Sequence, residues 1–188
     1  MKRSPTWEIG KTKCVCISDA GELANPNSKS RSIIGHVLIL EGNIVSFKSK
    51  LSTCVNTDAS HAELVGLYAA TKKIKCIEFI FLSMHPIMLE KPIILFGDNL
   101  ASLWISRTKG NSTRTKHYNL KLHYIYEQIM NESMVTKHID TEDCLADFLT
   151  KIQTSALFMR HRNFFVAKII EELQEFIPPT KDKSDISK

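Results

Sequence analysis

The sequence offers little to any chemistry that relies on sulfur. Five cysteines occur among 188 residues, Cys14, Cys16, Cys54, Cys76 and Cys144, an odd number without a C-x-x-C pair. Neither a disulfide framework nor a zinc site is indicated, and reduced thiols in an intracellular protein are the expectation. Cys14 and Cys16 read as two small core residues on one face of a strand. The chain carries no P-loop, no G-x-G-x-x-G and no Ser-His-Asp arrangement, so nucleotide-cofactor chemistry and acyl transfer lack support. The basic start, MKRSPTWEIGKTK, has no apolar core of the kind a signal peptide needs. The most apolar region, IEFIFLSMHPIMLEKPIILF, is interrupted at His85-Pro86 and Glu90-Lys91, too often for a membrane span. Internal repeats and low-complexity segments are also missing.

What remains is a globular composition: 43% hydrophobic and 24% charged residues, with a net charge of +5. The mild basicity permits a polyanionic partner without requiring one. A β-rich run from Cys14 ends at Asp19, and a Gly-, Asn-, Pro- and Ser-rich loop follows. Two β-branched runs then flank Glu41-Gly42-Asn43, a hairpin signal. From Thr57 or Asp58, either of which can cap a helix, the period changes to three and four residues and predicts one long helix over about 59–82. PIILFGD is a fourth strand, 99–107 a short helix, RTKHYNLKLHYIYEQIMNE another helix, SMVTKHID a fifth strand, and TEDCLADFLTK a short helix capped by Thr141. We divide the chain into an N-terminal extension (1–12), an α/β domain (13–152), an amphipathic C-terminal helix (153–177) stopped by Pro178-Pro179, and a disordered tail (178–188). Three hairpin-linked strands followed by strands alternating with helices imply a five-stranded mixed sheet in the order 3-2-1-4-5, flanked by helices.

On that scheme Asp19 ends the first strand, Asp98 ends the fourth, Glu63 lies in the first turns of the long helix, and Asp147 follows the fifth strand. Taken singly they read as a turn residue, a helix cap and ordinary helical acids. Converging, they would repel by about 4 kcal/mol per close pair at an effective dielectric near 20. Such a cluster is tolerable only with cations, and oxygen-only ligation suits Mg²⁺ or Mn²⁺. Two such ions would suit phosphodiester hydrolysis. Lys109, Arg114, Lys116 and Lys121 form a candidate phosphate-gripping surface between Asp98 and the fifth strand. Lys48 and Lys50 are weaker candidates, and Lys72, Lys73 and Lys75 read as the solvent face of the long helix.

The segments, in order, resemble the ribonuclease H domain of copia-type LTR retrotransposon Pol polyproteins. CISDA is similar to the family's YSDAD, RSIIGHVLILEGNIVSFKSK to STSGYV…ISWKSK, and SHAELVGLYAATKKI to STEAEYxALxEAxKE. ILFGDNLASLWIS is similar to IxxDNxxAIxLA, RTKHYNLKLHYIYEQI to RTKHIDIxYHFIRE, and TEDCLADFLTK to TExQLADxxTK. The likeness runs from about Lys13 to Lys151. It implies a ribonuclease-H-like fold and a two-metal hydrolase, with Mg²⁺ (or Mn²⁺ in its place), that cuts the RNA strand of an RNA–DNA hybrid during reverse transcription. Asp19, Glu63, Asp98 and Asp147 match the metal-binding acids. His138, nine residues before Asp147, stands at a distance comparable to that of the mobile histidine of cellular ribonucleases H.

The chain departs from the pattern at Gly21, His61, Asp143 and Ile152, which marks a divergent copy. The alternative expectation is a catalytically decayed remnant that only binds nucleic acid or protein. An integrase-type nuclease is disfavoured, because RTKH…LADxxTK is foreign to it. The resemblance further implies a reverse transcriptase domain of the same element as partner, a cytoplasmic (virus-like particle) or nuclear site of action, and no membrane. A polyprotein fragment and a stand-alone remnant are both open.

Overall fold

A computed structural model describes residues 12–22, 31–53, 55, 58–84, 89–108 and 119–176, with side chains on the last helix as far as 165. Two compact units partition it, Met1–Gln153 and Thr154–Lys188. The first contains strands β1 (Cys14–Glu22), β2 (Ser32–Leu40), β3 (Asn43–Leu51), β4 (Ile93–Gly97) and β5 (Met134–His138). Helices α1 (Ala59–Met84), α2 (Leu100–Arg107) and α3 (Asn119–Met130) accompany them, with two 3₁₀ turns, Thr141–Asp143 and Leu145–Leu149. The sheet order is β3-β2-β1-β4-β5. β1, β2 and β3 are antiparallel neighbours, whereas β4 runs parallel to both β1 and β5. The mixed sheet expected from the element order is therefore the sheet observed.

Local chemistry explains the connections. Glu41 and Gly42 both have positive φ, 46° and 76°, the pair of left-handed residues that closes a two-residue hairpin with the strands' own twist. The Asp58 carboxylate accepts the backbone N–H of His61 at 2.8 Å and so caps α1. Along α1 the buried residues Leu64, Leu67, Ala70 and Ile74 recur at helical spacing, and they pack with Cys16, Leu38 and Leu95 of the sheet and Leu122 and Ile125 of α3. Each such large side chain contributes about 1.5–3 kcal/mol on burial. Further along α1, Glu78 is buried and ion-paired with Lys75 and Lys91 (2.9 Å to the latter), and accepts the Ser133 hydroxyl at 2.8 Å. Burial alone would raise its pKa. The donors outweigh burial, and the group ends below its ordinary value.

The segment TEDCLADFLTK is not the short α-helix expected. Its bonds close i→i+3, with Asp143 N–H donating to Asp140 O (2.9 Å) and Asp147 N–H to Cys144 O (3.0 Å). Cys144 and Ala146 are fully buried, and the tighter turns bring both inward within a few residues. Thr141 does not cap it either. Asp140 is the N-cap residue, without a side-chain cap bond.

β3 is an edge strand whose Val45, Phe47 and Leu51 are exposed. The second unit holds α4 (Ser155–Phe176), whose first turn is closed by Phe158 N–H on Thr154 O at 2.9 Å. The tail beyond it lies outside the described residues. No helix among the described residues is long and apolar enough to cross a membrane.

Candidate metal centre

The parallel register of β1 and β4 pairs Ile17 with Phe96. Two residues further along both strands come Asp19 and Asp98, so the sheet sets the two acids side by side. Helix α1 supplies the third. Gly66, one turn after Glu63, faces Ser18, and a Cβ there would stand 3.0 Å from the Ser18 hydroxyl oxygen. The missing side chain lets α1 lie close against β1 and brings Glu63 over Asp19, which does not end the strand as expected but lies inside it, since pairing with β2 carries β1 on to Glu22. Carboxylate oxygens of Asp19, Glu63 and Asp98 lie within 4.8 Å of one another. The second 3₁₀ turn adds Asp147, within the same distance of Asp19 and of the Cys144 sulfur. The turn seats on β1 and β2 at Gly21 and Gly35. A Cβ on Gly35 would meet Thr150 Cγ2 at 2.7 Å, and one on Gly21 would collide with the Thr150 carbonyl oxygen.

These acids are held in a largely dry place. Asp19 is 0% exposed, Asp147 2% and Glu63 7%. Burial, with Asp19 and Asp98 adding to it, pushes the Glu63 carboxyl up to about 9 against an N–H donated by Ala20. Burial and Asp19 push Asp147 up to about 6. Asp98 is not the helix cap that it suggests when read alone. Asn99 caps α2, its side-chain oxygen accepting the Ser102 N–H at 2.9 Å. Asp98 keeps one oxygen, Oδ1, buried without a hydrogen-bond partner among the described residues, while Oδ2 accepts the Thr141 hydroxyl at 3.5 Å.

One cation sits among them. Lys151 Nζ lies 3.0 Å from Asp19, 2.9 Å from Asp147 and 3.7 Å from Asp98. Burial would lower its pKa, but the carboxylates outweigh burial and raise it, so the ammonium stays charged. Thr150 donates its hydroxyl to the other Asp19 oxygen. Both residues belong to the TK of the last motif, yet neither stands out in the sequence, because the contact spans 132 positions. The donors fit a hard divalent cation: clustered carboxylate oxygens, one without a partner, around a spot that already holds a positive charge. Cys144 is fully buried, and burial raises its thiol pKa far above neutrality.

Of the other expected site residues, His138 stands beside the cluster, its Nε2 donating to the Asp98 carbonyl oxygen at 3.1 Å. Lys121 lies on α3, half-buried. Lys109, Arg114 and Lys116 lie outside the described residues.

No family model matches the chain. It is 27% identical over 135 residues, 71% of its length, to a retrovirus-related Pol polyprotein from transposon TNT 1-94 of Nicotiana tabacum. It is 24% identical over 142 residues, 74% of its length, to the transposon Ty1-JR1 Gag-Pol polyprotein of Saccharomyces cerevisiae. The matched segment spans only 10% and 8% of those relatives. Among solved structures it is similar to LC11-RNase H1 isolated from compost, with a TM-score of 0.54 at 21% identity, covering 73% of this chain and 92% of that one. The same enzyme in complex with an RNA/DNA hybrid superposes with a TM-score of 0.50 at 20% identity, covering 73% and 94%. Sequence relatives of one kind and a fold of one kind thus agree: the homologues of this chain are retrotransposon Pol polyproteins, and its fold is that of a ribonuclease H domain.

Proposed function

We propose that the protein is a metal-dependent ribonuclease H that hydrolyses the RNA strand of an RNA–DNA hybrid, within or beside a retrotransposon reverse transcriptase. The observation that carries this reading is the seat of Lys151, an ammonium ion-paired with Asp19, Asp98 and Asp147 where the fold gathers its acids. Asp19, Glu63, Asp98 and Asp147 would hold two Mg²⁺ ions, or Mn²⁺ in their place. Bound there, the ions would supply charge for the scissile phosphate and lower the pKa of an attacking water.

The chain's own residues do the rest. Asp19, inside β1, and Asp98, just past the end of β4, would fix the centre rigidly to the sheet. Burial and the neighbouring Asp19 and Asp98 raise the pKa of Glu63, so a bound cation would compensate the charge it acquires on ionising. Lys151 would have to give up its carboxylate partners to admit a cation. His138, whose Nε2 donates to the Asp98 carbonyl, would carry a proton at the rim. Water's oxygen would bond to phosphorus as the bond from phosphorus to the 3′ oxygen breaks, and the proton that water gives up would be balanced by one taken up on the leaving 3′ oxygen. Choice of RNA would rest on 2′-hydroxyl contacts across the minor groove, not on base sequence.

A labelled RNA strand annealed to DNA, incubated with Mg²⁺, Mn²⁺ or EDTA, tests this. Cleavage in either metal and none in EDTA is expected. Binding of the hybrid without cleavage in either metal would instead favour a decayed binding module.

A further inference from the structure

Away from the carboxylates, α1 and the β2–β3 hairpin enclose a cleft of about 300 Å³. On the β1 side, the sheet face under α1 is filled by apolar residues such as Leu38 against Leu64 and Leu67. Toward the sheet edge the filling changes character. His36 and Lys48 are cross-strand partners, as are Ile34 and Lys50, and all four line the cleft. The helix answers with Lys72 and Lys73, so these two do not simply form a solvent face. Lys72 also lies 4.6 Å from the Tyr68 ring centre. Among the described residues no carboxylate pairs with any of the four lysines. Basic groups directly opposed across strands repel. His36, 7% exposed, is held neutral at the floor by burial and by Lys73 and Lys48, its pKa lowered to about 4.

Ammonium groups on both walls of one concavity, without counter-charge among the described residues, focus a positive potential. Ser46 adds a hydroxyl, and Phe47, 61% exposed, adds an aromatic face at the rim. Lysines interleaved with an exposed ring are the chemistry that grips backbone phosphate and stacks an unpaired base. We propose that this cleft binds a single-stranded nucleic-acid segment, its phosphates among Lys48, Lys50, Lys72 and Lys73 and a base on Phe47. The cleft needs no divalent ion and shares no residue with the carboxylate centre, so this binding stands apart from cleavage.

The test is anisotropy of a labelled oligothymidylate of about ten residues, titrated with the full chain at several salt concentrations. Lys48→Gln/Lys73→Gln should weaken binding roughly tenfold and reduce the slope of log K against log salt by about 1.4, two phosphates' worth for a single strand. Lys48→Arg/Lys73→Arg should keep both, Phe47→Leu should weaken binding with the slope unchanged, and Asp98→Asn should bind as wild type. Melting curves check that each variant folds. In the wild type the His36 imidazole resonance should move on adding oligothymidylate. The proposal is overturned if the folded Gln variant binds with unaltered affinity and slope, or if Asp98→Asn loses binding equally. A His36 resonance that stays still, or that responds to pyrophosphate alone, also overturns it, the latter marking a site for free phosphate.

Discussion

Lys151 Nζ is 3.0 Å from Asp19 Oδ1, and Asp19 is fully buried. The pair joins the first strand to the last turn of the unit, and it sets the lysine's positive charge among the acids proposed to hold a cation. Lys151→Met leaves Asp19 and Asp147 without that charge. In EDTA the variant should be less stable than wild type by about 1–3 kcal/mol, the cost of an unpaired buried charge. Mg²⁺ no longer has to displace an ammonium, so the gain in melting temperature on adding Mg²⁺ should exceed that of the wild type. Equal gains would show that Lys151 does not compete for the site.

Asp98→Asn preserves shape and removes one negative charge from a group within 4.8 Å of Asp19 and Glu63. Cleavage of hybrid should disappear and Mg²⁺ should raise the melting temperature less. The melting temperature in EDTA should be no lower than that of the wild type, since α2 is capped by Asn99. A variant that cuts normally would remove Asp98 from the chemistry.

Gly21→Ala would place a methyl group against the Thr150 carbonyl oxygen. The backbone there cannot yield without moving the turn that carries Asp147. A loss of about 1–3 kcal/mol in stability is expected, together with weaker Mg²⁺ binding by calorimetry. Loss of stability with intact Mg²⁺ affinity would separate the turn's position from the metal centre.

His36 gives a pH dependence of known sign. Its pKa is 6.5 when unfolded and about 4 when folded, lowered by burial and by Lys73 and Lys48. Between those values the unfolded chain binds the proton and the folded one does not, so stability is full above 6.5 and is lost as pH falls toward 4. Urea denaturation of wild type and His36→Leu across that window should show the wild type losing more, and parallel profiles would refute the assignment.

The sheet order was legible because it follows from local signals: a turn at Glu41-Gly42, a change of period after Asp58, an apolar strand at Ile93. The placement of Asp98 beside Asp19 followed from strand order alone. Other features depend on contacts between distant segments. Nothing near Lys151 announces that its ammonium reaches a residue 132 positions away. Asn99 took the cap that Asp98 also suggested, because only the backbone angles at the strand end distinguish adjacent polar residues. The turns around Asp147 read as a helix, since hydrophobic spacing over so few residues does not separate 3₁₀ from α geometry. Lys72 and Lys73 read as a wet helix face, because the edge strand that faces them is visible only after folding.

The hydrogen bond from Thr150 to Asp19 closes a loop of 131 residues. Closing so long a loop is entropically unfavourable, and pairings of this range slow folding. The centre is thus a product of the completed topology: a chain interrupted before Thr150 retains Asp19, Glu63, Asp98 and Asp147 in sequence but lacks the clasp that draws the last of them onto the sheet. In kinetic terms, cation affinity should emerge with the final folding phase and not with the earlier formation of the hairpin or α1.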